Sequence, residues 1–279
     1  MNLRNEKGLT VSQRATNTID PRRAKRHFMF ACLAAVIAAV CVGGGIAFVL
    51  PRSQAAVATP AIPTTNRIVP QAVAHIPLVN QNGQATDMAA FHGRIVIMAD
   101  FMTSCQEECP ITTGALLTVE QSLAAAHLLN RVEIIEVTVD AWRDTPSRLS
   151  EYQREFGVHW TMLTGSVTNL DRFWSFFGVW YQRVSESSPP NINWETGRPY
   201  TFDINHSDDV FVLDQAGNER AVSGGNADVE GKLPKDLAGL LDGQGREDLK
   251  SDAQFGNWTP SDMLKSVSAV LGQSIPLAG

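Results

Sequence analysis

The longest apolar run in the chain lies at residues 28–50, from Phe28 to Leu50, with no charged side chain and mostly Ala, Val, Ile, Leu, Phe and Gly. As a helix rising 1.5 Å per residue it is long enough for a hydrocarbon core of roughly 30 Å. The run predicts a transmembrane helix. Arg22, Arg23, Lys25 and Arg26 immediately precede it, which places residues 1–27 in the cytoplasm and the rest of the chain outside. A cleaved signal peptide is the competing reading, because Ala56, Val57 and Ala58 offer small residues to a protease. The length of the run and of the polar stretch before it favours an uncleaved anchor.

Beyond Leu50 the pattern changes twice. Residues 51–70 are rich in Ala, Pro, Thr and Gln without apolar periodicity, and are expected to be an extended tether. A domain is expected over 71–279. It opens with Ile76–Val79 and a turn at Asn80–Gly83, the signature of a small hairpin ending near His92. Ile95–Phe101 and Val132–Val139 then read as buried parallel strands. Val210–Leu213 and Glu219–Val222, joined through Gln215–Asn218, form an antiparallel hairpin. Helices are predicted over 112–129, over 145–156 with Thr145 as N-cap and Pro146 in the first turn, and over 169–179. Thr259 and Pro260 start a last helix that ends near Leu271. Strand, helix, strand, helix, hairpin and helix is the order of a thioredoxin-like α/β fold, a central mixed sheet flanked by helices. Residues 226–257 are polar and Gly-rich, and are expected to be an insertion carrying one short helix.

Composition adds little to the class but removes one function. With 44% hydrophobic and 19% charged residues the chain is globular, and the net charge of −6 includes the basic start. No basic face on the folded part offers itself to nucleic acid.

Of four cysteines, Cys32 and Cys41 fall inside the apolar run, where they serve as small hydrophobes. Cys105 and Cys109 remain, in Thr103-Ser104-Cys105-Gln106-Glu107-Glu108-Cys109-Pro110, where a parallel strand hands over to a helix. A loop this short makes a poor structural staple. The first helical turn puts the two sulfurs on one face, and its unpaired amides and dipole favour thiolate. Close thiolates suit Cu(I) or Zn. A thioredoxin-type redox pair has two residues between its cysteines and this chain has three, a spacing that still permits a disulfide. His206 is the candidate third ligand. It precedes the Val210 strand, and the segment Ser185–Thr201 is long enough to fold over and bring it in. His75, His92, His127 and His159 read as ordinary structural histidines.

Several motifs together resemble the Sco/SenC family: Val137-Thr138-Val139-Asp140, Arg143-Asp144-Thr145-Pro146, Phe156-Gly157, Leu163-Thr164-Gly165, the Thr103/Cys105/Cys109/Pro110 loop, and His206-Ser207 with the following strand. The resemblance covers about 76–222 and the final helix. It implies copper as the bound ion, with Cys105, Cys109 and His206 as ligands and Asp140 as a supporting residue. It also implies a role in cytochrome c oxidase assembly, with the copper-site subunit of the oxidase as partner. Gln106-Glu107-Glu108 stands where the family usually has Pro-Asp after its first cysteine, putting acids beside the thiols. The alternative reading is a thiol–disulfide reductase, with Cys105 attacking and Cys109 resolving. A redox or copper sensor is a third. His206 divides them, since a reductase does not need it.

Overall fold

The computed structural model describes residues 62–229, 232–250 and 258–278. The expected membrane helix, its basic flank and the possible cleavage site lie outside these residues. Among the described residues no helix is long and apolar enough to cross a membrane.

The fold is mixed α/β, with a central sheet flanked by helices. Its strands are β1 (Thr64–Arg67), β2 (Leu78–Asn80), β3 (Ala85–Thr86), β4 (Ile95–Phe101), β5 (Val132–Thr138), β6 (Thr161–Thr164), β9 (Asp209–Leu213) and β10 (Glu219–Gly224), in the spatial order β1-β10-β9-β4-β5-β6-β2-β3. β7 (Tyr181–Val184) and β8 (Asp203–His206) pair separately as an antiparallel ribbon. The helices are α1 (Gln71–Ala74), α2 (Cys109–Ala125), α3 (Pro146–Phe156), α4 (Val167–Phe177), α5 (Lys235–Leu240), α6 (Gly243–Lys250) and α7 (Pro260–Leu271).

Burial explains the centre. Every residue of β4 is buried, as a strand covered on both faces requires. β4 runs parallel to β5 and β5 parallel to β6, while β9 lies antiparallel along the other side of β4. Leu116, Val119 and Leu123 of α2, Leu149 and Tyr152 of α3, and Phe173 and Trp174 of α4 join the sheet in one core. The predicted caps are present. Thr145 accepts from the Arg148 amide at the start of α3, and Thr259 with Asp262 makes a reciprocal capping box on α7.

Three expectations change. The stretch 51–70 is not wholly tether, because Thr64–Arg67 pairs with β10 and so belongs to the sheet. α2 starts at Cys109 rather than Thr112, because Pro110 fits a first turn that needs no amide hydrogen. Among its described residues the 226–257 segment carries two short helices, α5 and α6, instead of one.

Candidate metal centre

The end of β4 and the start of β9 are neighbours because the two strands are antiparallel, with Ala99 opposite Val210. This register brings His206, at the end of β8, to the loop that follows β4. The segment Ser185–Thr201 also folds over that loop, as its length allowed. Gln106 Nε2 donates to the Ile192 carbonyl at 2.8 Å, and Trp194 Nε1 donates to the Thr103 carbonyl at 2.7 Å.

Cys105, Cys109 and His206 converge, with one ligand atom from each lying within 4.8 Å of the others. Cys109 Sγ is 3.4 Å from His206 Nε2. A thiolate and an imidazole sharing one ion at a near-tetrahedral angle sit roughly 3.5 Å apart, so this donor set fits a soft cation. Cys105 Sγ accepts from the Cys109 amide at 3.3 Å, capping the start of α2. Both thiols are free, Cys109 buried and Cys105 partly open. A cleft of about 250 Å³ reaches Cys105 and His206, lined also by Glu107, Glu108 and Asp203 among others.

The two sulfurs have different acidities. The hydrogen bond from Cys109 holds the Cys105 thiol well below its ordinary range against the pull of burial, with His206 adding to it. Burial, with the neighbouring Cys105 thiolate, pushes the Cys109 thiol well up. The two shifts run in opposite directions, so Cys105 is the more acidic sulfur of the pair. Sulfur and imidazole bind a cation in their deprotonated forms, so uptake releases whatever protons the two thiols and His206 Nε2 carry.

Asp100 is the site residue that sequence reasoning missed. Fully buried on β4, it faces His206 Nδ1 at 2.8 Å through Oδ2 and accepts from the Asp209 amide at 2.6 Å through Oδ1. The Ser207 carbonyl is the other neighbour of Nδ1, at 2.6 Å. Both neighbours are acceptors, so Nδ1 carries a proton and Nε2 is the nitrogen turned to the sulfurs. Burial disfavours the protonated ring, but hydrogen bonds to Asp100 and Cys105 outweigh it and raise His206 well above its ordinary range. The signal was in the sequence as a lone carboxylate in a strand otherwise built of Ile, Val, Met, Ala and Phe.

Asp140 stands one step away from the ligands. It accepts from the Ser104 hydroxyl at 3.4 Å, pairs with Arg143, and takes the Trp142 and Arg143 amides at 3.2 and 3.1 Å. A second fully buried carboxylate, Asp144, accepts from the Thr103 amide at 3.1 Å and the Thr138 hydroxyl at 2.5 Å. Arg148 joins this network, donating to Thr103 Oγ1 at 2.5 Å and Tyr200 Oη at 2.9 Å. The two residues before Cys105 are thus tied to the buried side chains of Asp140, Asp144 and Arg148. His75, His127 and His159 lie outside the ligand group, and His92 lines a separate small cavity near Gly217.

Fold and site together define a mixed α/β protein with a partly open thiolate–imidazole centre. The SCO1/SenC family model matches residues 68–239, more than half of the chain, and the chain belongs to that family. An SCO2-like protein of Rickettsia prowazekii is 28% identical over 142 residues, which cover 50% of this chain and 63% of that protein. The match therefore spans less than two thirds of the relative's length. The mitochondrial SCO2 homolog of Bos taurus is 29% identical over 104 residues, 37% of this chain and 39% of that protein. Among solved structures, Bradyrhizobium japonicum ScoI with copper bound is 22% identical, with a TM-score of 0.45, covering 62% of this chain and 94% of that one.

Proposed function

We propose that this chain is a membrane-anchored copper metallochaperone, holding copper with Cys105, Cys109 and His206 and passing it to the binuclear copper site of a cytochrome c oxidase subunit. The observation that carries the reading is the convergence of two sulfurs and one Nε2 within 4.8 Å, with Asp100 fixing the histidine from behind. Copper is cargo here. The partly exposed Cys105 is the ligand an acceptor reaches first, while Cys109 and His206 hold the ion from the buried side, so transfer proceeds by exchange of ligands. Family membership supports the oxidase as destination. The apolar run 28–50 and its basic flank support anchoring by a single helix with the domain outside the cytoplasm.

The test is an anaerobic copper titration of the reduced full chain, following stoichiometry and thiolate-to-copper absorption. One copper per chain, bound about 100-fold or more weakly in Cys105→Ser and in His206→Ala, is the expected result. Weak binding that His206→Ala leaves unchanged would sink the reading. A reductase is the second reading, favoured by the lowered Cys105 thiol beside a free resolving thiol. It predicts turnover of a protein disulfide that survives in His206→Ala.

A further inference from the structure

The loop between the two cysteines is held on one side by a segment to which family membership assigns no task. The Asp242 amide donates to the Gln106 carbonyl at 2.8 Å. Asp242 Oδ1 accepts from the Gly245 amide at 2.9 Å, and the Asp242 carbonyl accepts from the Arg246 amide at 3.2 Å. Together they start α6 directly against the loop.

Gly245 is the buried residue of α6. A Cβ there would fall 2.6 Å from the Gln106 carbonyl oxygen and 2.9 Å from Glu107 Cα. Both are backbone atoms inside the Cys105–Cys109 loop, so any side chain would displace them. Gly239 and Gly243, in the same segment, would meet nothing within 4 Å. A glycine inside a helix costs about 1 kcal/mol against alanine, and of these three only Gly245 has a close approach that requires one.

The segment is itself anchored. Leu237 and Leu241 are buried in the core, α5 packs on α2, and Trp258 is buried where it bridges to Ala227. A segment that leaves the core at the buried Leu241 therefore meets the Gln106 backbone on one side, while the Ile192 carbonyl takes its side chain on the other.

We propose that Asp242–Lys250 is a clamp on the cysteine loop, and that Gly245 is the positioning residue through which it sets the placement of Cys105 relative to Cys109. This gives the segment a task in the proposed metal site, and to that extent rests on the metal reading. The clamp is also a statement about metal-free geometry. With the clamp displaced, Cys105 swings away from the start of α2, becoming more open to reagents and less well placed to share an ion.

The experiment compares the reduced full chain with Gly245→Ala, Asp242→Ala and the control Gly239→Ala. Iodoacetamide alkylation of Cys105 is timed in metal-free protein, and copper affinity and the thiolate-to-copper band are measured separately. Gly245→Ala is expected to speed alkylation about threefold or more. It is also expected to weaken copper about 10-fold with a shifted band. Asp242→Ala, which adds no atoms, should move both in the same direction by less. Gly239→Ala should stay within about twofold of the parent on both. Parental alkylation and copper band in Gly245→Ala overturn the clamp. If Gly245→Ala fails to fold, parental values in Asp242→Ala overturn it instead. If the parent chain binds no copper, the metal reading falls and the alkylation series still decides the clamp.

Discussion

Two carboxylates, Asp100 on β4 and Glu136 on β5, sit almost level in the sheet and do different work. Ala99 pairs with Glu136 and Asp100 with Val137, so the alternation of side chains sends the two acids to opposite faces. Both are fully buried and both are raised by that burial. Glu136 meets neutral donors, the Thr113 hydroxyl at 2.8 Å and Trp160 Nε1 at 2.9 Å, and its value climbs to about 7. Asp100 meets an imidazole that can carry charge, and His206 pulls it back down against the burial. The same cost of burial thus supports a packing contact on one face and orients a ligand on the other. The nature of the partner, rather than burial itself, marks the functional acid.

Ranked by their effect on copper affinity, four changes test that contrast. His206→Ala removes a ligand, and a loss of about 100-fold or more is expected in the anaerobic titration. Asp100→Asn removes the charge and leaves one acceptor oxygen for two donors, His206 Nδ1 and the Asp209 amide, and should cost about 10-fold. Asp140→Asn alters the support of Ser104 one step from the ligands, and a loss of about threefold is expected by competition with a copper chelator.

Glu136→Gln should leave copper affinity within about twofold, since it touches no ligand. Its effect is on stability. The folded protein holds the Glu136 proton up to about pH 7, whereas the unfolded chain releases it near its ordinary 4.5. Wild-type stability from this group is therefore full at low pH and declines as pH rises toward 7. The amide variant has no such decline, so at pH 8 urea unfolding should find it more stable by on the order of 3 kcal/mol. A 10-fold copper loss in Glu136→Gln, or none in Asp100→Asn, would erase the distinction between the two acids.

The candidate ligand set was legible because just two cysteines lie beyond residue 50, and because the cysteine spacing and the His206-Ser207 motif fall in recognisable places. The main strands were legible for a related reason. β4 and β5 are continuous apolar runs, and the caps at Thr145 and Thr259 are local in sequence. What escaped was contact at long range. Asp100 and His206 are 106 residues apart, and only the antiparallel register of β4 and β9 reveals that they meet. Asp140 drew attention through its motif, yet its reach stops at Ser104. β6, β7 and β8 are each four residues long. That is too short to show a period, so pairing rather than propensity defines them. The Asp242–Lys250 contact on the loop was invisible for the same reason. A glycine's need for closeness has no signature until its neighbour across space is known.

The most direct measurement of the central claim is X-ray absorption at the copper edge on the loaded, reduced full chain. The account predicts a first shell of two sulfurs and one nitrogen per copper, with the nitrogen lost in His206→Ala and one sulfur lost in Cys105→Ser. A shell of sulfur alone, or of oxygen and nitrogen without sulfur, would contradict it.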